Sequence, residues 1–407
     1  MNNSVPIAGT FSKDSSFWGK NFPVQYLVEG TGQYVKANNG KMYLDWVSGL
    51  GANLLGYESR YSDHGFYHYV MNAVRKGLSF SFPTEYEYIS AEKLVNLLSK
   101  YIPRWNNIEL QVRWTLSGSD ACSTAIRLAK AVKKGVVVSY GYHGMGSEFI
   151  AATPPAHGLY DITPVVDLKW GALPRSGDEV SAVIIEVPPV VERLSYFSQL
   201  RKWCDEHNAL LIVDEVVTGL RYARGGACEL FGIEPDIVCM GKSLANGFPI
   251  GATIARKELM NRFNPSVLEH NDPVFISSTN VGNMASMAAA NFMLDYVEKE
   301  DYLTHIDAIG FKLKNGLTAA GFSVIGNSAR NLIVWESDGH KGYVIDRFEK
   351  EGILLNRPNF PNMAHTMENV EQTVEAAKTI QNDWKNLSSE DVEYWNNNAP
   401  LVLFRGR

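Results

Sequence analysis

The chain has 407 residues, 45% of them hydrophobic and 20% charged, with a formal net charge of −6. That length accommodates one large α/β domain with a smaller one appended. Lysines and arginines are scattered, so there is no electrostatic footprint for nucleic acid or anionic lipid, and no stretch approaches the ~20 apolar residues of a membrane span.

In chain order, residues 1–45 read as a polar, aromatic arm ending in a hairpin. Residues 32–36 and 41–45 form its strands and Asn38-Asn39-Gly40 its turn. The opening segment lacks a basic n-region and an apolar h-region, so no signal peptide is expected. Residues 46–290 read as a large domain. Leu110, Val112, Trp114 and Leu116 alternate with polar residues, as in a half-buried strand. Ala121, Ala125, Leu128, Ala129 and Val132 then share a helical face. Buried strands are expected at 135–138, 182–185, 210–213 and 237–240, with a helix over 198–207. This alternation predicts a mainly parallel sheet covered on both faces. Residues 291–407 read as a small α+β domain, with a long helix, strands at 331–335 and 352–355, and a last helix near 367–385. Cys122, Cys204, Cys228 and Cys239 form no CxxC pair, so free thiols in a reducing cytoplasm and no metal are expected.

Ligands gather at the carboxyl ends of parallel strands, and four features fall there. Ser117-Gly118-Ser119 opens a helix whose first amides can attract a phosphate; a simple N-cap is the other reading. Tyr142-His143-Gly144 follows a strand, where an aromatic ring can stack on a planar cofactor or simply pack. Asp214 and Glu215 end the apolar run of 210–213. An acid there needs a cation or donor, and a protonated pyridine, a magnesium ion or a helix N-terminus would each serve. Lys242, the only lysine between residues 203 and 255, sits after the next strand. A lysine at the mouth of a buried strand becomes nucleophilic if its amine pKa falls; otherwise it is a solvated side chain. A nucleotide-hydrolase reading of Gly241-Lys242-Ser243 fails, because Asp236 holds the first glycine position of that phosphate loop.

Together these segments resemble the class III aminotransferases, the group of ornithine aminotransferase and glutamate-1-semialdehyde aminomutase. The most specific part is residues 210–252, which carries DEV-x-TG-x-R, G-x-x-PD and then GK followed by G-x-P-x-GA. "LSGSDACSTAIRLAK" resembles the phosphate segment, with Asp120 for the usual glutamate. "STNVGNMASMAAA" at 278–290 resembles T-x-GGNP-x-A-x-AAA, with Val281 and Met284 replacing glycine and proline. The resemblance implies a pyridoxal-phosphate-dependent enzyme of fold type I that moves an amino group from a donor to a ketone or aldehyde, sugar-type or small. The same fold also hosts aminomutases, epimerases and decarboxylases. It implies that Lys242 holds pyridoxal 5′-phosphate as a Schiff base and that Asp214 pairs with the pyridine nitrogen. Tyr142, beside His143, and Val216 flank the ring. Ser117, Gly118 and Ser119 take the phosphate, with Thr279 reaching it from the second subunit of a homodimer. Glu186 matches the glutamate near the substrate, and Arg357 lies close to where many members place a carboxylate-binding arginine. The stretch from Tyr142 to Asp214 is shorter than usual, and residues 1–59 contain no arginine for a substrate carboxylate.

Overall fold

The computed structural model describes residues 26–57, 65–152, 165–175, 179–264, 266–267 and 273–398. The first part of the N-terminal arm lies outside the described residues. Two units are distinguished: one spans Gly65–Leu303, and the other joins the residues before 65 to those from 304 on.

The larger unit is built on a seven-stranded sheet. Its strands lie in the order Leu110–Thr115, Gly251–Arg256, Ile237–Gly241, Leu210–Asp214, Val180–Glu186, Val136–Tyr140, Val166–Asp167. The five from Ile237–Gly241 to Val166–Asp167 run parallel, as the alternation of strand and helix predicts. Leu210–Asp214 and Ile237–Gly241 are buried along their whole length, which is why they read as apolar runs without alternation. Helix Gly118–Val132 sets Ala121, Ala125, Leu128 and Ala129 into the core beside Ile184, Ile212 and Ile237. Helix Ser195–Glu206 matches the expected segment at 198–207.

Two strands of this sheet escape the sequence reading, the two-residue Val166–Asp167 and the longer Gly251–Arg256. Gly251–Arg256 runs antiparallel to both its neighbours, wedged between Leu110–Thr115 and Ile237–Gly241. Its Gly251, Ala252 and Ala255 dilute the strand signal of Thr253 and Ile254. Close packing accounts for the glycine, because a methyl group on Gly251 would lie 2.0 Å from the Ser117 carbonyl oxygen.

Helices Glu85–Tyr101 and Met284–Lys299 pack in the same unit, where the Ser90 hydroxyl donates to the Met287 carbonyl at 3.2 Å. The second helix starts at Met284 rather than near 291, because Asn283 caps it by accepting from Ser286 N at 3.0 Å.

In the other unit the expected hairpin forms, Tyr34–Ala37 pairing antiparallel with Met42–Asp45. Leu27–Thr31 adds an outer strand, and Ile353–Leu354 joins in parallel on the far side. A second sheet contains Ser323–Asn327, Arg330–Val334 and Pro358–Asn359. Its core gathers Leu44, Trp46, Leu313, Tyr343, Phe348 and Trp384. Helix Met367–Lys385 matches the expected final helix, but a further one follows at Ser389–Asn397. No helix among the described residues is long and apolar enough to cross a membrane.

Candidate active site

Asp214 ends its strand almost fully buried. One carboxylate oxygen, Oδ1, accepts from the Val216 amide at 2.9 Å; the other, Oδ2, lies 2.8 Å from His143 Nδ1. His143 Nε2 lies 3.1 Å from the Tyr140 carbonyl oxygen. Both ring nitrogens therefore face acceptors, and only the doubly protonated imidazolium satisfies both. Burial alone would depress the imidazole pKa, but the Asp214 hydrogen bond and charge, with smaller help from Cys122, carry it up to about 10. The thiol of Cys122 stands behind this pair. Its sulfur, a His143 nitrogen and an Asp214 oxygen all lie within 4.8 Å of one another. Three such donors could hold a soft metal ion, yet 2.8 Å is the length of a charge-assisted hydrogen bond, and His143 and Asp214 read as a hydrogen-bonded pair with the thiol close by.

The turn before helix Gly118–Val132 serves two ends. Ser117 is its N-cap: the hydroxyl accepts from Asp120 N at 3.2 Å and donates to the Asp120 carboxylate at 2.8 Å. Asp120, in place of the family's glutamate, thus helps set the cap. Ser119 Oγ accepts from Met145 N at 3.2 Å, tying the turn to the segment after Tyr142. A methyl on Gly118 would lie 2.5 Å from Val216 Cγ1, so only glycine lets Val216 approach the turn. Beyond the cap, the first amides of a 15-residue helix offer an anion cradle.

Lys242 follows the strand Ile237–Gly241 and begins a short 3-10 turn with φ of +46°. A left-handed conformation costs a non-glycine residue about 1–2 kcal/mol, and such strain clusters at functional positions. Gly241 brings this strand end to the helix turn: a methyl on it would lie 3.4 Å from Gly118 Cα. Glu186 ends the neighbouring strand in register with Asp214, and its Oε2 accepts from the Tyr142 amide at 3.1 Å. Tyr142 is 45% exposed.

The structure thus gathers the Ser117–Ser119 turn, Tyr142, His143, Glu186, Asp214, Val216 and the backbone bearing Lys242 at one end of the sheet. Thr279 is exposed in the turn that precedes Met284. Arg357 belongs to the other unit. Its side chain is exposed, and its carbonyl accepts from Ile333 N at 2.9 Å. Sequence reasoning missed Cys122 and its neighbour Cys239. The available signal was Cys122's place one helical turn after Gly118, on the buried face.

The model of the family described as aminotransferase class-III matches residues 165–379. The glutamate-1-semialdehyde 2,1-aminomutase of Syntrophobacter fumaroxidans is 32% identical over 321 residues, covering 72% of this chain and 70% of that protein. Among solved structures, the FumI protein of Sphingopyxis sp. MTA144 in its PLP internal aldimine form shares the fold. Its TM-score is 0.79 at 24% identity, over 94% of this chain and 95% of that one. An omega-transaminase from Sphaerobacter thermophilus does so with a TM-score of 0.77 at 22% identity, over 92% and 94%. The fold is that of the PLP-dependent transaminases, fold type I, and the chain belongs to the class-III aminotransferases, which depend on pyridoxal phosphate.

Proposed function

We propose that this aminotransferase works at a site centred on Lys242 and Asp214, moving an amino group from an amino donor to a ketone or aldehyde of sugar type or small size. The carrying observation is the buried Asp214, whose charge would be untenable at the end of an apolar strand without cationic partners. His143 answers one of its edges, and a protonated ring nitrogen answers the other. The residues fit the cofactor: the helix turn suits its phosphate, a turn that a methyl on Gly118 would close, and the carboxylate suits its ring.

Bound pyridoxal phosphate supplies an aldehyde for amino groups and an electron-poor ring that takes up the electrons of the bond broken at the substrate carbon. The chain does the rest. Lys242 Nζ would hold the aldehyde between turnovers and would carry the proton removed from the substrate. Asp214 keeps the ring nitrogen protonated. Val216 and Tyr142 hold the ring between them, and Gly118 and Ser119 hold the phosphate. We read Glu186 as a substrate-facing group and Arg357 as a carboxylate reader. Thr279, exposed on a single chain, suits a role at the phosphate of a second subunit in a homodimer.

Borohydride reduction of the holoenzyme should abolish the visible absorbance and leave the label on the Lys242 peptide; recovery on another lysine would overturn the site. Unreduced holoenzyme, given a panel of acidic and neutral amino donors alongside Arg357→Ala, reads which donors need that arginine. Losses of similar size for both classes would remove it from the pocket. An amino shift within one molecule is the second reading, motivated by the named activity of the 32%-identical relative. With an amino donor alone, transfer would leave added cofactor in its amine form after one half-reaction, whereas an internal shift would return it to the form in which it began.

A further inference from the structure

The amino-transfer reading makes no use of His340, which is 1% exposed in the first turn of helix Asp338–Lys350. Phe322 and Trp384 stack with its ring at 5.9 and 5.0 Å, and Trp335 meets it edge-on at 5.9 Å. Its hydrogen bonds admit one protonation state. The Gln381 amide nitrogen donates to the Gly321 carbonyl at 3.3 Å and to the Glu336 carboxylate at 3.1 Å. The side-chain oxygen of Gln381 is therefore the atom that lies 3.1 Å from His340 Nε2, and Nε2 must carry a proton. On the other side, the Glu336 backbone amide donates to Nδ1 at 3.2 Å, so Nδ1 must be bare. The neutral ring satisfies both partners. An imidazolium would set its Nδ1 proton against the Glu336 amide proton. Burial accordingly holds the pKa below the ordinary 6.5, outweighing the Gln381 hydrogen bond and the Glu336 charge.

The same turn seats the terminal helix, Ser389–Asn397. The Gly339 amide donates to Asn396 Oδ1 at 3.2 Å, and a methyl on Gly339 would lie 2.3 Å from that oxygen. Trp395 meets Tyr343, one helical turn further on, edge-on at 5.4 Å. Ser337 caps the turn by accepting from the His340 amide at 3.0 Å.

We propose that His340 is an acid-sensitive latch: a proton taken up at Nδ1 opens the first turn of its helix and releases the terminal helix from Gly339. With three rings packed round the imidazole, relief of the clash requires the turn itself to move, and Gly339 moves with it. Once released, the imidazole meets water and titrates near its ordinary value, about 6.5. The seat is therefore fully held above that pH and weakens as pH falls below it. Among charged groups, Glu336 faces the ring, its carboxylate held by Gln381 and by Trp384 Nε1 at 3.0 Å and drawn to Lys385. Strand Ser323–Asn327, which follows Phe322, carries no charge, and strand Arg330–Val334 carries only Arg330, at its far end from Trp335. Asp338 and Lys341 flank His340 on its own helix, and the terminal helix brings Glu390, Asp391 and Glu393.

Hydrogen exchange of the holoenzyme at pH 7.5 and 5.5, corrected for the intrinsic effect of pH, tests the latch. Protection of peptides covering residues 389–397 should fall about tenfold, as expected for a group that titrates near 6.5 only when released. His340→Gln offers the Glu336 amide an acceptor but takes up no proton, so its protection should be equal at the two pH values. Asn396→Ala should lower protection at both while keeping the parent's fall. If His340→Gln loses the seat at both pH values, NMR of 15N-histidine-labelled parent decides: Nδ1 should gain its proton over the pH range in which protection falls. Equal protection of the parent at both pH values would overturn the latch. So would an undiminished fall in His340→Gln, or a seat lost while Nδ1 is still bare.

Discussion

At the scale of single residues, the site is organised around one carboxylate and what faces it. Asp214→Asn would keep the shape but no longer hold a ring nitrogen protonated. Electrostatic partners of this kind contribute roughly 3–4 kcal/mol to the barrier, so cofactor should stay bound while single-turnover proton transfer slows on the order of a hundredfold or more. A stopped-flow rate within about threefold of the parent would count against the role. His143 gives a pH signature of its own. Its folded-state pKa, up at about 10, lies above the ordinary value near 6.5. The pair therefore stabilises the fold fully below about pH 6.5, and that contribution is lost as pH rises through about 10. Urea midpoints measured from pH 6 to 10 should fall more steeply for the parent than for His143→Gln, and parallel curves would contradict this. Asp214 and Lys242 stand out in the sequence because each follows a wholly apolar run, and the strands do end at Asp214 and at Gly241 just before Lys242. Cys122 does not stand out, since a small residue on a helix's buried face looks like ordinary core until the fold shows what stands opposite.

At the scale of elements, the strands legible from sequence were those bounded by turn residues and filled with branched side chains. Leu210–Asp214 and Ile237–Gly241 fall where the apolar runs lie. Gly251–Arg256 stayed hidden because Gly251, required by tight packing, and two alanines dilute its strand signal, and no local pattern reports a neighbour over a hundred residues away. That gives a sharp expectation for Gly251→Ala. The new methyl would meet the Ser117 carbonyl at 2.0 Å, with the Thr115 hydroxyl at 2.3 Å. A backbone oxygen cannot swing aside, so either the strand pair separates or the helix turn moves. The cost should exceed about 3 kcal/mol, the range reserved for severe overpacking. Denaturant melts of purified variant would show it, and a variant melting like the parent would mean that the turn yields at little cost. Cofactor affinity should fall with stability, because the displaced oxygen belongs to the cap of the phosphate turn.

At the scale of the whole molecule, the large domain was legible as a parallel α/β arrangement, but the composition of the second unit was not. Periodicity predicts the hairpin and the last helices separately. It cannot say that Ile353–Leu354 pairs with Met42–Asp45, because a two-residue strand carries no signal of its partner. The proposed homodimer makes its prediction here. Lys242→Ala and Thr279→Ala each damage a different contributor to a shared site. Mixed and re-equilibrated subunits should regain part of the activity that each variant alone lacks, as some heterodimers hold one intact site. A monomer with full activity by light scattering and assay would refute the shared site.

The strand order has a consequence for how the chain is made. Leu110–Thr115 meets the rest of the sheet only through Gly251–Arg256. While the polypeptide leaves the ribosome, the earlier strand must wait for the later one to be synthesised. At the usual 5–20 residues per second that wait is on the order of ten seconds. Throughout it, a strand edge and the apolar face of the helix behind it stand open to wrong partners. The nascent enzyme is therefore most dependent on chaperones between the emergence of its phosphate turn and that of the glycine that locks it.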